Sequence, residues 1–418
     1  MNVSFIPDKA ITGITQELTE FISQCLSHIK NTSRCAVVPP DFTRRHSFSG
    51  EIVSVVYSQL KGRLKAVIPA TGTHRPMELP EKLNMYPDIP ENLFCEHDWK
   101  RDCRTFGEIS VKELRELTDM PADAPWKIDL NKHVFSHDYD CILSIGQVIP
   151  HEVVGMSNHS KNLVIGLGGR ESIHQSHYIG AIAGVEDTIG KTDTPVRRIL
   201  EKASEKFLQM YNTWYFLSVC SYTDNTPCLE GLFFGNDYDC FKKAAELSGK
   251  VNIYPLEKKA QRVVVNLSSK KYKSTWIGNK AIYRSRLITA DKGEIIVFAP
   301  GVDRFGEDPE IDRLIRKYGY CGTNSVKHAV KKDQSLRNNL AAAAHLIHGS
   351  SEDRFTVSYA VQKSFMNAVS MVKYQPLELN EALQFVKISE ETSGWKIDSE
   401  GNNFYYIQDP GAGLWTHR

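Results

Sequence analysis

An unbroken apolar run, CILSI from Cys141 to Ile145, stands near the middle of the chain. Without polar alternation, such a run reads as a strand buried on both faces. It ends at Gly146 and is followed by PHEVVGMSNHSKNLVIGLGGRESIHQSH, residues 150–177. Upstream, Leu18, Phe21, Ile22 and Leu26 recur at helical spacing. A short strand over 36–38 is stopped by Pro39 and Pro40 and opens into a loop carrying Asp41, Thr43, Arg44 and Arg45. Residues 51–60 read as a crossover helix. A second strand over 64–68 then ends in another polar loop, 71–76. Strand, polar loop, helix, strand, polar loop is the pattern of parallel α/β units, whose functional groups gather at the carboxyl ends of strands.

From 91 to 138 no period is sustained, apart from a short helical piece, KELREL. NLVIG, residues 162–166, reads as a further short strand. Thr194-Pro195 opens a helix reaching about residue 210, with the small polar cap and first-turn proline that helix starts favour. WYFLSVCSY and CLEGLFFGN, residues 214–222 and 228–236, read as a hairpin. A boundary near Pro255 divides the chain into 1–255 and 256–418. The second part contains the strand RVVVNL, the polar run 268–286, the strand GEIIVFAPG, and a helical stretch around LRNNLAAAAHLIH. The expectation is an α/β protein of two α/β domains with an active-site cleft between them.

At 418 residues the chain is long for one hydrophobic core, which agrees with two domains. Lys+Arg 51 against Asp+Glu 50 leaves no basic stripe for a phosphate backbone, so no nucleic acid is expected as a partner. No signal-like opening and no spanning apolar stretch is present, so no membrane is expected and the location expected is cytoplasmic. Nine cysteines without a CxxC pair argue against a disulfide framework or a structural zinc site.

Candidate chemistry collects in the strand-end loops. His74 in TGTHRP and His151 after the central strand would be imidazoles able to exchange protons near neutrality, the alternative being ordinary hydrogen-bonded loop histidines. His174 and His177 form an HxxH pair that shares a face on a helix. His97, His133, His137, His159, His345 and His348 carry no assigned chemistry. Lys161 lies in a segment otherwise free of charge from 153 to 169. There it is either solvent-facing or, in a partly dry cleft, a nucleophile or attachment site. Arg44, Arg45, Arg75 and Lys280 could hold an anion. GLGG, residues 166–169, allows close backbone approach to a ligand but lacks the dinucleotide fingerprint.

Together DFTRR (41–45), ATGTHRP (70–76), PHEVVGMSNHSK (150–161) and SIHQSH (172–177) resemble the nickel-pincer lactate racemase family, in order and spacing, from about residue 36 onwards. The resemblance implies a cofactor of nickel in a pyridinium-3-thioamide-5-thiocarboxylic acid mononucleotide, the nickel pincer nucleotide, tethered to Lys161, with His177 completing the metal's coordination. It implies His74 and His151 as acid/base residues, Asp41 at the cofactor, and Arg44 and Lys280 at the substrate. The substrate would be a small-molecule 2-hydroxy acid, inverted at C2 by hydride transfer, and the cofactor-building enzymes would be partners. The oligomeric state stays open.

This chain departs from the family at Asn158-His159-Ser160, where Gly-Gly-Arg is common, at Ile277, where glutamine is expected, and at LSSKK (267–271), in place of a glycine-rich turn. Added polar groups would suit a polyhydroxylated substrate, so a sugar acid C2 epimerase is the favoured reading, with a lactate or other short-acid racemase as the alternative. Two further readings are a zinc-dependent hydrolase built on His151, His174 and His177, and a non-catalytic binder of nickel or a sugar acid.

Overall fold

The computed structural model describes residues 2–136, 138–223, 226–385 and 392–417; His137 lies outside them. The chain divides into two compact units, residues 1–176 with 189–252, and residues 177–188 with 253–418. The division passes through the helix Arg170–Ala183, so His174 is counted with the first unit and His177 with the second.

The first unit is built on a six-stranded sheet in the order Asn2–Phe5, Thr226–Gly235, Thr213–Thr223, Cys141–Gln147, Cys35–Val38, Leu64–Val67. Its last four strands run parallel, and the first three of the order pair antiparallel. Every residue of Cys141–Gln147 is buried, as its apolar run requires. The helix Ser49–Leu60 connects the neighbouring strands Cys35–Val38 and Leu64–Val67, after which the chain returns on the other side of Cys35–Val38 to form Cys141–Gln147. That reversal is a topological switch point, where open α/β sheets leave a crevice outside the strand ends.

A short apolar run such as Leu163–Ile165 fits a strand or a buried helix equally well. The expected strand at 162–166 is in fact helical, Ser160–Val164. Its Asn162 explains the difference: the side-chain amide donates to the carbonyl of Val38 at 3.1 Å and to Ser144 Oγ at 3.0 Å. The short helix is thereby fastened across the ends of both strands that flank the switch point. A hairpin of Cys103–Ile109 with Trp126–Asn131, and the helix Tyr238–Asn252, complete the unit beyond what periodicity indicates.

The second unit has its own six-stranded sheet, in the order Gln375–Glu378, Thr356–Val361, Thr289–Phe298, Ala260–Asn266, Asn403–Ile407, Gly394–Ile397. All neighbours are parallel except the last pair. Its order reverses between Ala260–Asn266 and Asn403–Ile407, and the chain leaving the carboxyl end of the former leads to the helix Lys280–Ser285. No helix among the described residues is long and apolar enough to cross a membrane.

The GLGG segment serves the packing of this fold. A Cβ on Gly166 would lie 2.3 Å from the carbonyl oxygen of Asn162 and 2.7 Å from Ala70 Cβ. The same residue's carbonyl accepts the Gly72 backbone N–H at 2.9 Å, which ties the loop of His74 to the short helix. Gly166→Ala is therefore expected to destabilise the protein by about 1–3 kcal/mol, as overpacked sites do. An unchanged midpoint in thermal or urea unfolding would contradict this packing.

Candidate active site

Two strand-end loops of the first unit meet at Asp41. Its carboxylate is buried and accepts a hydrogen bond from His74 Nδ1 at 2.6 Å. Thr43 donates to the other carboxylate oxygen through its backbone N–H at 3.1 Å and through its hydroxyl. Burial on its own would raise the Asp41 pKa, but the charge of a protonated His74 and the three hydrogen bonds outweigh it and hold the carboxyl below its ordinary value. An ionised Asp41 accepting from Nδ1 fixes that nitrogen as the protonated one, so a neutral His74 carries its lone pair on Nε2. The His74 side chain is 51% exposed, which keeps its outer nitrogen within reach of a ligand.

His151 is arranged the opposite way. It is buried, and its Nδ1 accepts the backbone N–H of Val153 at 3.1 Å, so the proton of the neutral ring belongs on Nε2. The Glu152 carboxylate lies 3.7 Å from the same Nδ1. One imidazole thus presents an acceptor and the other a donor.

Lys161, half-buried in the first turn of the short helix, is the third element. Burial lowers its pKa to about 8, Arg44 and Arg197 add to the effect, and Glu152 and Asp41 oppose it. These four influences place the amine within electrostatic range of both the Asp41–Arg44 loop and the neighbour of His151. Asn158 and His159, immediately before the helix, both adopt positive φ, 67° and 59°. Residues with a Cβ pay for that conformation, which glycine adopts freely. A pair of glycines would take this turn without that strain.

Asn158, His159 and Ser160 are buried and engaged with the helix Pro195–Phe207. Arg197 donates to the carbonyls of Asn158, at 3.2 Å, and Met156, and to Ser160 Oγ at 3.0 Å. Ser160 Oγ donates to Glu201, and His159 Nδ1 lies 3.3 Å from the same carboxylate oxygen. Burial would raise the Glu201 pKa, but His159, Arg197 and Ser160 together bring it down to about 2. Arg197 and Glu201 were outside the expected site. Their signal is an i, i+4 charged pair set among the core positions Val196, Ile199, Leu200 and Ala203, a pattern that also fits an ordinary surface pair.

The remaining candidates fall in different places. Arg44 is half-buried, whereas Arg45 is exposed over the Phe42 ring and Arg75 makes an exposed ion pair with Glu81 at 2.6 Å. His97 is buried, with Nε2 3.2 Å from the Gly168 carbonyl and Nδ1 3.0 Å from the Asn131 amide, a tie between loops. The His174 ring packs against Trp99 at 5.9 Å. Among the described residues no group of three or more His, Cys, Asp or Glu is placed to hold a metal, so the zinc reading, which needs three such ligands together, gains no support.

His177 and Lys280 belong to the second unit. There Glu186, from the same segment as His177, accepts hydrogen bonds from Arg286 at 2.9 Å and from Arg354. Arg286 caps the carboxyl end of the helix that Lys280 begins, and Asn279, just before Lys280, accepts the Tyr359 hydroxyl at 2.6 Å. Within this unit, then, the segment of His177 and the helix of Lys280 are braced against the same charged cluster.

The lactate racemase N-terminal domain matches residues 8–190. Over these residues, somewhat under half of its length, the chain is similar to that family. The matched lactate racemase domain contains Asp41, Arg44, His74, His151, Lys161 and His177. No curated protein matches the chain. A protein of known crystal structure from Thermotoga maritima has the same fold, with a TM-score of 0.81 and 24% identity over 98% of this chain and 100% of that one. The lactate racemase apoprotein from Thermoanaerobacterium thermosaccharolyticum is similar as well, with a TM-score of 0.71 and 16% identity over 98% of this chain and 96% of that one.

The lysine of this domain has a measurable signature. The folded pKa of about 8 lies below the ordinary 10.5, so between these values the unfolded chain binds the extra proton and stability rises with pH. Below pH 8 the buried ammonium costs stability. Lys161→Met is expected to stabilise the apoprotein near pH 7 by up to about 3 kcal/mol, with the gain fading as pH approaches 10.5. A gain of equal size across that range in denaturant unfolding would contradict the assignment.

Proposed function

We propose that this protein is a racemase or epimerase of 2-hydroxy carboxylates that uses a nickel pincer nucleotide attached to Lys161. The family match supports racemase or epimerase chemistry at the coarse level. The observation that carries the finer reading is the setting of Lys161, a half-buried amine of depressed pKa within electrostatic range of the Asp41–Arg44 loop and of Glu152. The residues present fit such a cofactor, since an amine poised near neutrality is available for acylation and Arg44 lies at hand for a carboxylate. His177 would complete the nickel coordination and Lys280 would serve the substrate, by the same resemblance.

The hydrogen on C2 of a 2-hydroxy carboxylate is a poor acid, because the neighbouring carboxylate resists further negative charge. When bound, the pincer supplies an acceptor for that hydrogen together with its electron pair. The chain's own residues handle the proton. His74, with Nδ1 committed to Asp41, takes the hydroxyl proton at Nε2, while Arg44 pairs with the substrate carboxylate. His151 offers Nε2–H on its own side, and the two opposite tautomers suit an acid and a base that exchange roles as the configuration inverts.

A sugar acid remains one reading of the substrate. The side chains of His159 and Ser160 are committed to Glu201 and Arg197 within the protein, whereas Arg197 takes only the backbone carbonyl of Asn158. A polyhydroxylated acid is then favoured only by the Asn158 side chain and the polar residues 268–271, and lactate or another short acid stands level with it.

Protein produced with the cofactor-building enzymes and incubated with C2-epimeric acid pairs, from lactate to aldonates, is expected to invert one pair, read by chiral chromatography. No inversion of any pair by cofactor-loaded protein would refute the proposal. His74→Ala and His151→Ala should each lower turnover by about 10²–10⁴-fold while the cofactor stays attached. Full activity in either variant would remove that histidine from the mechanism.

A further inference from the structure

The turn before Lys161 is costly in two ways. Asn158 and His159 hold positive φ without being glycine, and His159 has ψ −134°, a combination that L-residues rarely adopt. The His159 ring is buried against Tyr215 at 4.1 Å and Phe241 at 5.5 Å, and its Nε2 has no hydrogen-bond partner among the described residues. A phenylalanine would fill such an aromatic slot without a polar atom to bury. What an imidazole adds here is Nδ1, directed to Glu201 at 3.3 Å.

The opposing side of the turn is held by one guanidinium. Arg197, fully buried, donates to the carbonyls of Met156 and Asn158, to Ser160 Oγ and to Glu201, and its charge lies over the Phe241 ring at 4.2 Å. The carbonyls of 156 and 158 lie just before and within the strained turn, and Glu201 receives Ser160 and His159, which stand at the start of the short helix. Asn158 also accepts the His159 backbone N–H with its own side chain. Two side chains remote in sequence, Arg197 and Glu201, therefore converge on the three consecutive residues that precede the lysine.

We propose that Arg197 and Glu201 are positioning residues that hold the left-handed turn from which Lys161 is presented, Glu201 acting through the His159 ring and Ser160. The role of Lys161 as the attachment point rests on the function proposed above, whereas the clamp itself does not. A strained backbone persists only where its surroundings over-determine it. Here the clamp stores that strain beneath the lysine, and the amine is presented in one orientation in the apoprotein.

The test is a double-mutant cycle between Arg197→Met and His159→Gly, read by amide hydrogen exchange of residues 157–161 in the apoprotein. Arg197→Met is expected to speed exchange there about tenfold, the size of effect that one released strained residue supports. In the His159→Gly background, which removes the more strained of the two positive-φ residues and the ring that Glu201 holds, the same substitution should change exchange clearly less. In cofactor-loaded protein, the fraction of Lys161 carrying cofactor should fall in Arg197→Met and recover in the double variant. Glu201→Gln, which keeps the side-chain size, should reproduce the exchange effect more mildly and serves if Arg197→Met does not fold. Unchanged exchange in both single variants, or equal effects with and without His159→Gly, would overturn the proposal. Wild-type Lys161 that never takes up cofactor would count against the proposed function alone, because exchange is read on the apoprotein.

Discussion

A carboxylate deprived of water must be paired, and Asp41 is paired from two directions at once. Its partners are Thr43, in its own loop, and His74, in the loop after the next strand. The single buried charge thereby joins the two loops and selects the tautomer of the histidine between itself and solvent. Removing the carboxylate would release both constraints together. Most of what the first unit offers chemically follows from this pair, because Arg44 sits in the same turn and the Lys161 amine senses both charges.

The second feature is a deliberate local cost. A lysine kept partly dry and a turn held at positive φ both lower stability, and they adjoin each other. Folding tolerates them because the switch point between Cys35–Val38 and Cys141–Gln147 is crossed by Asn162, whose amide bonds to both strands. The sheet provides the rigidity and the loops carry the chemistry, as the division of labour in α/β folds leads one to expect.

Much of this was legible from residue pattern. The buried strand at 141, the crossover helix before residue 60, the capped helix opened by Thr194 and the hairpin of 213–235 follow from period, caps and turns. What pattern could not supply was contact between distant segments. The short apolar run Leu163–Ile165 has no period to separate helix from strand, and the deciding contact is made by Asn162, a polar side chain whose partners are more than fifteen residues away. Asn158, His159 and Ser160 read as pocket groups because their partners, Arg197 and Glu201, lie on a helix some forty residues later. The Asp41–His74 pairing, 33 residues apart, was visible only as two candidate loops.

The proposed bond between Lys161 and the cofactor changes the mass of one peptide, which a mass spectrum reads directly. Protein made alongside the cofactor-building enzymes should yield a peptide containing Lys161 that is heavier by the tethered pincer nucleotide, with the other lysines unmodified. An unmodified Lys161 in that preparation would contradict the account.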